Sequence, residues 1–154
     1  MELADLVRSD CTLPSVKAAS KKQVLQEIAH KASEIHGLHC GTIVNGLVAR
    51  EKLGSTAMGD GVAIPHARID GLDKIIGLFA RLEKPVDFEA ADRQGVDLIF
   101  TLLAPEAAGA NHLRALAKVS RLMRDEQFRA KLRGSDNAES LHALLTEHQA
   151  SRAA

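Results

Sequence analysis

Arg50-Glu51-Lys52-Leu53-Gly54-Ser55-Thr56-Ala57-Met58-Gly59-Asp60-Gly61-Val62-Ala63-Ile64-Pro65-His66-Ala67-Arg68 is the stretch whose composition packing alone does not explain. Gly54, Gly59 and Gly61 let the backbone enter the left-handed region or approach another group closely. The short apolar run Val62-Ala63-Ile64 reads as a strand. Pro65 fixes its own φ and biases Ile64 toward an extended conformation. The expected order is loop, strand, then a histidine at the strand end with its side chain free to face a cleft.

Upstream of this stretch, Ile43, Val44, Leu47 and Val48 fall on one face of a helix expected over about 42–53, which ends where Gly54 opens the loop. Arg50 then projects from the last turn. Before it, Ser20-Lys21-Lys22-Gln23 has the form of a capping box. Val24, Leu25, Ile28, Ala29, Ala32 and Ile35 follow at helical spacing, and Gly37 is a terminator, which gives a helix over about 20–36. Residues 1–19 read as a lead-in with a short helix or strand.

Downstream, Asp70-Gly71 marks a turn, Ile75 to Ala80 a strand broken at Lys84-Pro85, and Val96 to Leu103 an interior strand closed by Pro105. Asn111 is the expected cap of a helix over about 112–123 with Leu113, Leu116, Ala117 and Ser120 buried. Asp125 opens a shorter helix that Gly134 closes. Asp136, with Glu139 three residues on, opens another helix carrying Leu141, Leu144 and Leu145. The expected fold class is α/β: one layered domain over 1–154, a mixed sheet flanked by helices, with its core at about 20–146 and a frayed tail at 149–154.

The chain has 154 residues, enough to bury a core without staples. Twenty Lys and Arg against twenty Asp and Glu give zero formal charge, and Trp and Tyr are absent, which argues against a nucleic-acid surface. An acidic amino terminus and the lack of a long apolar run predict a cytoplasmic protein without membrane insertion. Cys11 and Cys40 are expected to be thiols.

The chemistry centres on His66. A neutral imidazole is a competent nucleophile near pH 7, provided one nitrogen is free and the other is held. An anionic group bound at such a nitrogen asks the protein mainly for positioning and charge stabilisation. The Gly54 to Gly61 loop, with Gly59 and Gly61 in it, offers backbone N–H groups for an anion nest, and Ser55 and Thr56 add hydroxyl donors. The loop lacks the Lys of a Walker A sequence, since Asp60 stands in that place, and no Gly-x-Ser-x-Gly elbow is present. His112, in the first turn of its helix, sits at the positive end of a helix dipole and is expected to be neutral. Arg68 lies near His66 in sequence and is a secondary candidate. His36, His39 and Cys40 invite a zinc reading, but Gly37 interrupts them and a fourth ligand is missing, so no metal is assigned. His30, His142 and His148 are placed on solvated helix faces.

Arg50 to Thr56, followed by Gly59 to Arg68, resembles the active-site segment of phosphotransferase-system enzyme IIA proteins of the nitrogen-regulatory type, relatives of the fructose and mannitol IIA domains. The resemblance runs from about Ser20 to about Leu145. It implies the mixed-sheet IIA fold and a phosphocarrier that needs no cofactor. It also implies His66 as phosphoryl acceptor from an HPr-type carrier protein, His112 as a second histidine stabilising the phosphoryl group, and Arg50 as a phosphoryl contact. It further implies regulated targets such as potassium transporters or sensor kinases. Two alternatives stay open: a sugar-transport IIA that passes phosphoryl to a IIB cysteine, and an interaction module indifferent to phosphorylation.

Overall fold

The computed structural model describes the backbone of residues 3–153 and the side chains of residues 3–147. Helix α1 (Leu3–Leu6) leads directly into strand β1 (Val7–Val16), so the lead-in segment contains both a helix and a strand. Helices α2 (Lys21–His36) and α3 (Cys40–Lys52) follow, then the short strands β2 (Ala57–Gly59), β3 (Val62–Ala63) and β4 (His66–Arg68). Two long strands, β5 (Ile76–Val86) and β6 (Val96–Ala104), precede α4 (Ala110–Met123), α5 (Glu126–Arg133) and α6 (Ala138–Ala153). The expected frayed tail at 149–154 falls where side chains lie outside the described residues, and residue 154 lies outside them altogether.

The sheet runs β1-β5-β6-β3-β2, with β4 continuing along the same edge of β6 as β3. Strand β5 is antiparallel to β6 and parallel to β1, while β3 and β4 are parallel to β6, so the sheet is mixed. Val62 stands opposite Leu98 and His66 opposite Leu102. The bond from Leu102 N–H to the Pro65 carbonyl, 3.0 Å, carries the ladder across the break at Ile64-Pro65. Ile76 to Ala80 is buried at every position and Val96 to Ala104 at every position but Asp97, so helices cover both faces of the centre. Phe79 and Phe100 stand opposite each other on β5 and β6 and meet edge to face at 6.3 Å in one contiguous apolar core.

Local signals place α2 as expected. The Ser20 hydroxyl accepts from Gln23 N–H at 3.2 Å, the Gln23 amide oxygen accepts from Ala19 N–H, and Gly37 takes φ 69° while its N–H bonds the Ser33 carbonyl. Asp125 caps α5 through Phe128 N–H at 3.1 Å.

Other expectations need correction. Lys84-Pro85 does not break β5; the strand runs on to Val86 across a register shift after Arg81, the setting in which a strand tolerates proline. Asn111 lies inside α4 and its side chain accepts from Arg114, whereas Gly109 holds the cap position at φ 56° without a side-chain bond. The buried face of α4 is His112, Ala115, Val119, Leu122 and Met123, one step out of phase with expectation, and Leu113 is 67% exposed. Asn137 caps α6 through Ser140 N–H at 2.8 Å in place of Asp136.

Three of the other histidines, His36, His39 and His142, make structural contacts. His39 Nδ1 caps α3 by accepting from Thr42 N–H, and His36 Nε2 lies 3.5 Å from Cys11 Sγ. His142, expected on a solvated face, is half-buried with Nε2 at 3.0 Å from the Val7 carbonyl. His30 is exposed beside Glu34, and the side chain of His148 lies outside the described residues.

Candidate active site

Three elements converge on His66: the carboxyl end of α3, the start of β4 and the amino end of α4. His66 opens β4 because Pro65 interrupts the edge strand just before it. The imidazole Nδ1 lies 2.9 Å from the Ile64 carbonyl, a pure acceptor, so Nδ1 carries the hydrogen and Nε2 keeps its lone pair. Nε2 accepts from Arg50 Nε–H at 3.2 Å. Arg50 is itself tethered, since its Nη1 donates to the Gly54 carbonyl at 2.8 Å.

Burial holds the His66 pKa below its ordinary value. The Ile64 carbonyl opposes that shift, the Arg50 cation adds to it and Glu51 opposes it. His66 is therefore neutral at pH 7, with one nitrogen held and the other polarised by a cation. That is the form a nucleophilic imidazole requires.

His112, the third residue of α4, is 6% exposed, and its ring centroid lies 5.5 Å from that of His66 at an interplanar angle of 75°. Its pKa is lowered by burial first, then by His66 and by Arg68. A helix dipole was the expected cause of its neutrality; burial lowers it as well. His112 Nε2 is buried without a hydrogen-bond partner in the protein, an uncommon condition.

The structure brings Arg50, His66 and His112 together and leaves Arg68 close by. Arg68 is exposed and donates to the Glu106 carbonyl at 2.9 Å, near enough to depress His112. The other loop residues take different roles. Ser55 donates its hydroxyl to the Phe88 carbonyl, and Thr56 donates its own to Glu51 Oε1 at 2.8 Å, so neither hydrogen is free for a phosphoryl oxygen. Gly59 and Gly61 flank the turn between β2 and β3 beside Asp97 N–H, while His66 stands at Leu102. Four residues of β6 separate Val62 from His66, about 13 Å of strand. The two glycines do not cradle a group on His66. Their φ of 96° and 79° serves the turn, where Arg133 holds the Asp60 carbonyl.

Sequence reasoning missed the Ile64 and Gly54 carbonyls, which are backbone groups with no residue signature. It also missed Glu51, for which a signal exists: an acid in the last turn of a helix faces the negative end of the dipole and asks for a partner elsewhere. Among the described residues no cluster of three or more His, Cys, Asp or Glu is assembled to hold a metal ion, and no helix is long and apolar enough to cross a membrane.

Comparison with known proteins sets this arrangement in a class. Residues 5–148 match the family model described as phosphoenolpyruvate-dependent sugar phosphotransferase system, EIIA 2. The chain belongs to that family, whose members are phosphotransfer components of the system. Within it, the chain is 52% identical over 145 residues to the nitrogen regulatory protein of Bradyrhizobium diazoefficiens, covering 94% of this chain and 95% of that one. The crystal structure of nitrogen regulatory protein IIA-Ntr from Neisseria meningitidis superposes with a TM-score of 0.88 at 35% identity, over 94% of this chain and 99% of that one. IIA mannitol from Escherichia coli shares the fold, with a TM-score of 0.76 at 20% identity, covering 90% and 97%.

Proposed function

We propose that this protein is a cytoplasmic phosphocarrier in which His66 Nε2 accepts a phosphoryl group from a phosphohistidine on an HPr-type partner. The observation that carries the reading is the pair of hydrogen bonds on the His66 ring, which fixes the tautomer and aims the lone pair at a tethered arginine. The Nε2 lone pair attacks phosphorus, the phosphorus–nitrogen bond of the donor breaks, and its electron pair returns to the donor imidazole. No metal, nucleotide or external proton is needed. As Nε2 forms its bond the ring gains positive character, and the Nδ1–H bond to Ile64 strengthens.

Arg50 is held at Gly54 by Nη1 while Nε touches His66, so a small swing about that tether moves the guanidinium from the lone pair to the incoming oxygens. His112, in the tautomer with hydrogen on Nε2, donates to a phosphoryl oxygen and thereby satisfies its buried nitrogen. Arg68 adds a cation at the rim. A phosphoryl group brings about two negative charges to this site, enough to change which surfaces dock there. Full-length similarity to nitrogen regulatory proteins supports a regulatory role, in which the phosphorylation state selects among protein targets such as potassium transporters or sensor kinases.

The test is intact mass after incubation with phosphoenolpyruvate, enzyme I and an HPr-type carrier. A single acid-labile phosphoryl adduct is expected on the native chain and on His112→Ala, where it forms more slowly, but not on His66→Ala. Absence of any adduct on the native chain contradicts the reading and leaves a phosphorylation-independent interaction module. Rapid transfer onward to a IIB cysteine assigns the chain to sugar transport instead.

A further inference from the structure

Glu51 is 9% exposed at the carboxyl end of α3. A carboxylate placed there loses hydration and meets the negative end of the helix dipole, so it persists only with strong partners. It has them. Both carboxylate oxygens accept from Thr56 N–H at 3.2 Å, Oε1 accepts from the Thr56 hydroxyl at 2.8 Å, and Lys21 Nζ lies 3.4 Å away. The bonds fold residues 53–56 back over the helix end, and Lys21, itself mostly buried over the Phe88 ring, supplies the countercharge.

From this anchor two short chains of hydrogen bonds lead to the two nitrogens of His66. On one side, the Thr56 carbonyl accepts from Ile64 N–H at 3.1 Å, and the Ile64 carbonyl accepts from His66 Nδ1 at 2.9 Å. On the other, Gly54, in the loop that Glu51 pins, offers its carbonyl to Arg50 Nη1 at 2.8 Å, and Arg50 Nε donates to His66 Nε2 at 3.2 Å. Glu51 touches neither His66 nor the place of an incoming phosphoryl group, yet both partners of the imidazole depend on the segment it holds.

We infer that Glu51 is a positioning residue which, through Thr56, sets the Ile64 carbonyl and the Arg50 guanidinium on opposite sides of the His66 ring and so keeps Nε2 as the unprotonated nitrogen. The inference rests on the phosphocarrier reading only for its kinetic consequence. The tautomer is a property of the free protein.

The test reads the His66 ring by long-range proton–nitrogen correlation NMR above its titration range, in the native chain, Glu51→Ala, Thr56→Val and Thr56→Ser. The native chain and Thr56→Ser are expected to show one tautomer with hydrogen on Nδ1. Glu51→Ala, and to a smaller degree Thr56→Val, are expected to show both tautomers in exchange. The rate of phosphoryl acceptance is expected to fall on the order of ten- to a hundredfold in Glu51→Ala, the scale that a misplaced reacting group produces. If Glu51→Ala does not fold by circular dichroism, Thr56→Val, which removes one hydroxyl and keeps the side-chain shape, decides by the same spectrum. An unchanged tautomer in a folded variant overturns the inference, whether the rate falls or not, because a slower rate alone assigns Glu51 to docking. A native chain that takes no phosphoryl group while Glu51→Ala shifts the tautomer overturns the carrier reading and leaves the positioning role standing.

Discussion

At the scale of single residues, the site is governed by how a histidine is kept neutral. His36, His66 and His112 all have pKa values lowered by burial. A lowered folded-state pKa means that the unfolded chain binds more protons as pH falls. The stability these groups contribute is present above the ordinary histidine value of about 6.5 and is lost as pH drops through the lower folded values. The urea midpoint is expected to be flat from pH 8 to 7 and to fall between pH 6.5 and 5; a midpoint that rises on acidification contradicts this. Arg50 adds a separate prediction, because its cation is one of the groups that depress His66. In Arg50→Ala the His66 pKa, followed by NMR titration, is expected to rise toward its ordinary value, and phosphoryl acceptance to slow by about 100-fold, the loss typical of removing one preorganised donor. Arg50→Lys keeps the charge and loses the fork that bonds Gly54 and His66 together, so its pKa stays low while its rate falls.

At the scale of elements, the helix starts that were legible are side-chain caps of the usual kind in an unambiguous place, whereas the His39 cap of α3 and the Asn137 cap of α6, next to Asp136, were not read. Helices α2 and α5 begin at residues whose side chains do the capping, Ser20 and Asp125, and both starts were legible. Helix α4 turns in at Gly109 with a positive φ and no side-chain bond, so Asn111 was mistaken for the cap and the buried face was read out of phase. That error placed Leu113 inside and overlooked His112 as the residue the core receives, although His112 as a candidate came through the resemblance. The Gly59 to Gly61 turn looked like an anion nest because its composition is that of one. Its position depends on the β3–β6 register, which composition does not reveal.

That correction is testable at Gly61. A Cβ there would run into the Arg133 guanidinium and stand 2.9 Å from Asp97 Oδ1, at a φ of 79° that an L side chain resists. Gly61→Ala is expected to lower the unfolding free energy by about 1–3 kcal/mol in urea titration. Its phosphoryl acceptance at a temperature where it remains folded is expected to be unchanged. A selective loss of acceptance in a stable Gly61→Ala protein would restore the turn to the site.

At the scale of the whole molecule, the mixed sheet explains why the site sits where it does. Strand β5 is buried throughout Ile76 to Ala80 and β6 at every position but Asp97, which leaves chemistry to the edge. There the strand beside β6 breaks at Pro65, and the ends of α3 and α4 close on the gap. The α/β class and the long strands were legible as apolar runs, because a doubly covered strand has no alternation to mistake. The assembly of Arg50, His66 and His112 from segments 16 and 46 residues away from the histidine was accessible only through the family resemblance, since no local rule brings them together. The measurement that bears most directly on the whole is the identity of the phosphorylated nitrogen, read by phosphorus–nitrogen correlation NMR on the protein phosphorylated through phosphoenolpyruvate, enzyme I and an HPr-type carrier. The geometry predicts the group on His66 Nε2, with Nδ1 still protonated against Ile64. A phosphoryl group on Nδ1, or on any residue other than His66, would contradict it.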